Sequence, residues 1–138
     1  MTDTSTASLL VFEFQPLTPA NTAKASPVSV DMTMPSYEVD IIEWMVPVGP
    51  QGNLGWQLWY NDALVIPQNG TFVITDGEFG RWEIDELPTA GQWQFKGYNT
   101  DTVNDHTTYL RFLVSPLSSA TAAPGNAAVI PNWPFVGV

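Results

Sequence analysis

The chain has 138 residues, a formal net charge of −10, 44% hydrophobic residues and 12% aromatic residues. This length supports one hydrophobic core, and the composition is typical of a folded globular domain and excludes wholesale disorder. The acidic balance repels phosphate backbones, so no nucleic-acid partner is expected. The absence of cysteine excludes disulfides, thiolate catalysis and the common structural zinc sites, and no cofactor is expected.

The N-terminal sequence lacks the features of an export signal. Residues 1–8 are mostly polar, with neither a basic start nor a long apolar stretch. No segment of the chain reaches the ~20 apolar residues that a membrane span requires. We therefore expect synthesis in the cytoplasm without a signal peptide, and no membrane partner.

Strand-like alternation begins near the N-terminus. Residues 8–15 show a period of two, and every even position of residues 28–34 is apolar. Within residues 37–46 the apolar phase changes from odd to even positions after Ile41, which predicts a β-bulge. The Pro- and Gly-rich residues 47–55 predict a long turn that ends the pairing.

Short strands and turns continue through the second half of the chain. Asn61 and Asp62 tolerate the positive φ of a tight hairpin turn and lie between two apolar runs. No segment has a convincing 3.6-residue period, and closely spaced turn signals are typical of a sandwich or barrel. The remaining predicted strands are residues 56–60, 63–66, 71–75 and 81–85, with turns at 68–70 and 76–80.

Residues 87–99 carry a glycine corner followed by a strand that alternates Trp93 and Phe95. This stretch resembles a corner and strand of immunoglobulin-like domains, in which an inward aromatic side chain joins the two sheets. Seven or eight strands predict an all-β, immunoglobulin-like antiparallel β-sandwich, although the usual Cys…Trp…Cys spacing is absent. The last strand is predicted at residues 107–114, with an inward set of Thr108, Leu110, Phe112 and Val114.

The C-terminal segment has a different composition from the rest. No charged residue follows Arg111, and residues 115–128 are rich in Ser, Ala, Pro and Gly, as in a linker. The sequence therefore divides into a sandwich domain (1–114), a linker (115–128) and an apolar C-terminal arm (129–138). The side chains predicted to bind a neighbouring subunit, or to fold back on their own sandwich, are Val129, Ile130, Trp133, Phe135 and Val136.

The energy balance of this arm is close. Burying five apolar side chains gains roughly 7–15 kcal/mol, and ordering about ten residues costs a comparable ~10–20 kcal/mol. Docking therefore requires a preformed groove, and it is helped by Pro131 and Pro134, which reduce the entropy that the arm loses.

Candidate catalytic and metal-binding residues are few. His106 has no motif that supplies a nucleophile, so the simplest interpretation is a solvated loop histidine. Acidic clusters have a spacing that would suit calcium or a glycosidase pair, but solvent-facing side chains explain them more simply. We therefore predict no catalytic and no metal-binding residue. The clusters are Asp76 and Glu78, and Glu83, Asp85 and Glu86.

Aromatic side chains on the surface leave a second possibility open. Trp56 and Trp59 are three residues apart on one predicted strand, so they face opposite sides of the sheet. Trp59 or the adjacent Tyr60 would then be a stacking group for a carbohydrate on a host surface, which is the alternative function to assembly.

Several blocks in residues 40–114 resemble a small virion structural protein of tailed bacteriophages that infect actinobacteria. The blocks are Pro47-Val-Gly-Pro-Gln-Gly-Asn-Leu-Gly-Trp56, Val65-Ile-Pro67, Gly91-Gln-Trp-Gln94, Tyr98-Asn-Thr100 and Thr108-Tyr-Leu-Arg-Phe112. The resemblance implies a non-enzymatic, multicopy component of the particle that decorates the capsid or belongs to the neck or tail. Its partners would be other virion proteins and further copies of this chain.

Overall fold

A computed structural model describes residues 10–117 of the chain. This part contains no helix, and hence none long and apolar enough to cross a membrane. The all-β prediction is confirmed. The strands are β1 (Leu10–Phe14), β2 (Leu17–Thr18), β3 (Val28–Met32), β4 (Glu38–Val46), β5 (Leu54–Tyr60), β6 (Ala63–Ile66), β7 (Val73–Ile74), β8 (Glu78–Pro88), β9 (Trp93–Asn99), β10 (His106–Thr107) and β11 (Tyr109–Ser115).

The long strands form two antiparallel sheets. Sheet 1 has the order β1-β11-β4-β8, and sheet 2 has the order β3-β9-β5-β6, with the short β7 also paired with β5. The two-residue strands β2 and β10 pair with each other outside both sheets. Consecutive long strands alternate between the sheets from β3 to β5 and again from β8 to β11, so most connections cross the sandwich.

The pairing of the eight strands other than β2, β7 and β10 is nested. The first pairs with the last (β1 with β11), and inside that pair lie β3 with β9, β4 with β8 and β5 with β6. A long antiparallel hairpin rolled into two sheets has this order, which is that of a jelly roll. The antiparallel β-sandwich is therefore confirmed. The immunoglobulin-like connectivity is not, because β9 and β11 lie in different sheets, whereas the last two strands of an immunoglobulin domain are neighbours.

Aromatic side chains fill the space between the sheets. Trp93 on sheet 2 packs edge-on against Phe112 on sheet 1, with ring centroids 5.2 Å apart. Trp56 and Trp44 make a similar contact between the sheets at 5.7 Å. The predicted inward positions Trp93 and Phe95 are fully buried. So are the inward positions predicted for the last strand, Thr108, Leu110, Phe112 and Val114.

The predicted bulge lies in β4 at Asp40. Val39 pairs with Val114 and Ile41 pairs with Leu113, so Asp40 is an extra residue relative to β11. The pairing with β8 also shifts between Val39 and Ile41. Val39 and Ile42 are both fully buried although three positions separate them. The shift places Ile41 on the outer face of sheet 1, not on the inner face that its odd-numbered position predicted.

The hairpin between β5 and β6 has the predicted turn, with φ of 47° at Asn61 and 66° at Asp62. The turn predicted over residues 47–55 is shorter than expected, because Leu54 and Gly55 belong to β5 and pair with β9. The strand predicted at 71–75 is reduced to Val73–Ile74, whereas β8 extends beyond the predicted 81–85 in both directions. In each case pairing with a neighbouring strand, which the local sequence does not encode, sets the strand length.

Candidate functional site

The outer face of sheet 1 carries a row of alternating charges. Glu13, Arg111, Glu43 and Arg81 are directly opposite one another on the four strands β1, β11, β4 and β8. Arg111 forms ion pairs with Glu13 (Nε to Oε2, 3.2 Å) and Glu43 (Nη1 to Oε1, 3.6 Å). The guanidinium of Arg81 has no ion pair among residues 10–117. Arg81 is thus a free cation on a strongly acidic chain.

The next row on the same face is apolar. It consists of Tyr109, Met45 and Phe79, which are opposite one another on β11, β4 and β8. Met45 is 42% exposed and Phe79 is 82% exposed, which is unusual for large apolar side chains in adjacent positions.

Side chains of the two rows line a cavity of about 530 Å³ that is open to solvent, which we call the outer groove. Its wall is mixed, because apolar side chains from one row alternate with charged side chains from the other. Such a wall fits an apolar partner whose orientation is fixed by a few polar contacts. The side chains that line the outer groove include Gln15, Met45, Phe79, Arg81, Tyr109 and Arg111.

Two glycines lie on either side of Phe79 in the sequence. Gly80 lies beneath the indole of Trp44, and a Cβ at this position would come within 2.5 Å of the ring. Gly77 has a φ of 68° and turns the chain into β8, with Val48 packed closely against it. The turn is tied to the preceding loop by a hydrogen bond from the Gly49 N–H to Asp76 Oδ1 (2.8 Å). Phe79 is therefore presented to solvent by a fixed turn.

The sequence did not identify the outer groove. The sequence predicts a turn at residues 76–80, which includes Phe79, and residue type alone does not show that Arg81 and Arg111 lie on one face. The charge row joins four strands that are distant in sequence, so it becomes visible only when the register is known. The available local signal was the placement of Phe79 between Gly77 and Gly80, which left a large apolar side chain without an evident core position.

His106 is less exposed than the sequence predicted. Its side chain is 11% exposed and begins β10, and its Nε2 lies 3.0 Å from Asp101 Oδ2. The carboxylate of Asp101 also accepts hydrogen bonds from the backbone N–H groups of Val103 and Asn104. These two backbone bonds and then the His106 contact lower the pKa of Asp101 from 3.8 to about 2. The prediction of a solvated loop histidine is therefore wrong, because this network encloses the ring.

The loop of residues 100–105 is also held by a buried amide. The Asn99 side chain donates to the carbonyls of Thr18 (3.1 Å) and Asn104 (2.9 Å), and its oxygen accepts the Asp101 N–H (3.0 Å). The Asp101 and His106 pair thus closes a structured loop between β9 and β10. A serine or threonine hydroxyl within hydrogen-bond distance of His106 is not found among residues 10–117.

The aromatic residues predicted to stack on a ligand are separated by the fold. Trp59 lies on the outer face of sheet 2, where the Lys96 ammonium covers its ring at 4.3 Å and its N–H donates to Gln57. Tyr60 points the other way, against Trp93 at 4.9 Å, and its hydroxyl donates to the Ala90 carbonyl. The two rings do not form a common platform.

The acidic clusters do not converge on a metal site. Glu83 and Asp85 are exposed on β8, and Asp76 is used by the turn described above. Within residues 10–117, no group of three or more His, Asp or Glu side chains is arranged to hold a metal ion. The predicted arm residues Val129, Ile130, Trp133, Phe135 and Val136 lie outside the described residues.

Comparisons with known proteins assign the chain to no family. No protein-family model matches the chain, and no curated protein matches it. Among solved structures, the chain is similar to one titled "Crystal Structure of FLHE", with 12% sequence identity and a TM-score of 0.47. The match covers 78% of this chain and 98% of that chain. A likeness this low supports neither a family assignment nor a function.

Proposed function

We propose that this chain is a non-enzymatic structural component of a phage virion, which assembles through the outer face of sheet 1 and through residues 129–138. The observation that carries the proposal is the outer groove, where Phe79 is 82% exposed beside Met45 and the free cation Arg81. Exposed apolar side chains rimmed by polar ones mark interaction sites on folded proteins. The site is therefore a docking surface for another protein.

Two further arguments support a virion. The sequence blocks in residues 40–114 resemble a virion structural protein, and jelly rolls are frequent among viral capsid domains. The likeness to capsid domains is one of fold, and jelly rolls also serve other functions. Multicopy particles offer many identical neighbours, and a sandwich with an exposed apolar row on one outer face has a surface by which it could attach to such a lattice.

The arrangement of polar side chains favours binding over chemistry. The Asp101 and His106 pair is occupied in closing its own loop, and the charges of the outer groove are paired except for Arg81. Within residues 10–117, nothing in the outer groove combines a nucleophile with a base. The partners that we propose are capsid or tail proteins and further copies of this chain in the virion.

Incorporation into particles tests the proposal. A phage that carries Phe79→Asp in this gene should yield particles with strongly reduced amounts of the chain, measured by quantitative immunoblotting of purified virions. The matched control is Val103→Asp, because Val103 is 79% exposed in a loop outside the outer groove. Circular dichroism should show that both variants are folded. Equal incorporation of the two variants, or absence of the wild-type chain from purified particles, would contradict the proposal.

Carbohydrate binding through Trp59 or Tyr60 remains the alternative function. The geometry supports it less, because Lys96 covers the Trp59 ring and Tyr60 packs against Trp93. A glycan array that shows binding by the wild-type protein and its loss in Trp59→Ala would favour this alternative. An array without signal would count against it.

A further inference from the structure

The outer groove has the character of a site for an uncharged aromatic peptide. Its apolar row contributes Met45, Phe79 and Tyr109, and its single unpaired charge is that of Arg81. A guanidinium without a carboxylate partner is suited to stacking on an aromatic ring, and a methionine sulfur also favours aromatic contacts. An acidic peptide would fit less well, because Glu13 and Glu43 line the same cavity.

The chain itself contains a segment with the required chemistry. Residues 129–138 have no charged side chain and carry Trp133 and Phe135 with four valine or isoleucine residues. Its sequence contains prolines at 131 and 134, which disfavour a helix, and an extended peptide suits a shallow groove across a sheet. On a chain of net charge −10, an uncharged segment also avoids the repulsion that a second acidic surface would meet.

The outer groove and the last residue of β11 lie at opposite ends of that strand. β11 begins beside the groove at Tyr109 and ends at Ser115, at the other end of the strand. Its length separates the groove from Ser115 by roughly 20 Å. The residues between Leu117 and Val129 span at most about 40 Å when extended. That reach is long enough to bring residues 129–138 to the outer groove of a neighbouring copy.

We propose that residues 129–138 of one copy dock in the outer groove of the next copy, with Trp133 stacked on Arg81 and packed against Phe79 and Met45. This proposal rests on the proposed function, since it names the receptor for the predicted arm. The contact is head-to-tail, because it joins two different parts of the chain, the outer groove of one copy and residues 129–138 of another. Repetition of such a contact closes a ring or extends a filament, and both suit a multicopy particle component.

Disulfide trapping in the full-length chain tests this contact, because the sequence contains no native cysteine. One variant carries Gln15→Cys at the rim of the outer groove, and a second carries Asn132→Cys beside Trp133. Neither change removes an anchor side chain. The two variants are mixed under mild oxidation, and mixed disulfide dimers are quantified on non-reducing gels and identified by mass spectrometry. The matched control replaces Gln15→Cys with Val103→Cys, which is exposed outside the groove.

The groove pair should give on the order of tenfold more mixed dimer than the control pair, since docking raises the effective concentration of one thiol near the other. Adding Phe79→Ala and Arg81→Ala to the Gln15→Cys chain should reduce the yield to the control level. Equal yields for the two pairs would overturn the proposal. So would an intramolecular disulfide in the double variant Gln15→Cys/Asn132→Cys at high dilution, combined with no cross-link between the single variants.

Sedimentation velocity and particle incorporation of the wild-type chain separate this proposal from the proposed function. A chain that enters particles or self-associates, but gives no excess cross-link for the groove pair, leaves the proposed function standing and overturns the arm-to-groove contact. A chain that does neither overturns both.

Discussion

Replacing Gly55 with alanine tests how closely the backbone of β5 packs against the buried ring of Tyr98 on β9. Gly55 on β5 is directly opposite Tyr98 on β9, and a Cβ at position 55 would lie 2.2 Å from Cε2 of Tyr98 and 2.5 Å from Cζ. The ring is only 5% exposed and packs edge-on against Phe72, with centroids 4.9 Å apart. The methyl group of Gly55→Ala therefore forces Tyr98 out of a filled site.

The expected loss of stability follows from two opposing effects. Inserting a methyl group into a packed site costs typically ~1–3 kcal/mol, while alanine stabilises a strand by roughly 0.5–1 kcal/mol relative to glycine. The net destabilisation should be about 1–2 kcal/mol, measured by urea unfolding with tryptophan fluorescence. Burial raises the pKa of Tyr98 above its ordinary 10.0. A displaced ring should therefore titrate closer to that value in an absorbance titration.

The effect of Gly55→Ala in a Tyr98→Ala background is the control. Without the ring, the same substitution should stabilise the protein by roughly 0.5–1 kcal/mol, because only the gain in strand propensity remains. The double-mutant cycle should then show a coupling of ~1.5–3 kcal/mol. Equal effects of Gly55→Ala in the two backgrounds would refute the reasoning.

Three further expectations follow from burial and charge. Trp93→Ala should lower the free energy of unfolding by ~3–5 kcal/mol. Phe79→Ala, at a side chain that is 82% exposed, should change it by less than ~0.5 kcal/mol. Urea unfolding of both variants measures the difference. Asp101→Asn should be less stable than wild type at neutral pH, because the folded-state pKa of Asp101 is lowered. This difference in stability should disappear as the pH falls from 3.8 through about 2. Unfolding curves across the acid range measure it, and a difference that stays constant with pH would contradict the expectation. Lys96→Ala should lower the free energy of unfolding by roughly 0.5–1 kcal/mol. It should also alter the fluorescence of Trp59, because the Lys96 Nζ lies 4.3 Å from the centroid of that ring.

Local features of the fold were predictable from short sequence patterns. The alternation around Phe112 and Trp93 predicted which side chains are buried, because burial on one face of a strand imposes a period of two. The hairpin at Asn61 and Asp62 followed from turn chemistry alone. The bulge in β4 was also predicted from a change of phase, although pairing with β8 and β11 places it at Asp40.

The enclosure of His106 and the outer groove were not predictable in the same way. His106 is buried by contacts with a loop whose conformation depends on the Asn99 amide and on Thr18, which is distant in sequence. The outer groove joins residues of β1, β11, β4 and β8, and the order of these strands is a property of the rolled hairpin. Local sequence does not specify which strand is the neighbour of which.

By itself, the sequence determined the all-β class, the approximate strand count, the buried face of the major strands and the acidic character of the surface. These properties depend on the residue type at each position and on its nearest neighbours in the chain. Tertiary structure alone decided the jelly-roll order, the ion pairs of Arg111 with Glu13 and Glu43, and the exposure of Phe79 beside Arg81. The physical reason is that the register between strands brings together side chains that are up to about a hundred residues apart, and the packing of the whole sandwich selects that register.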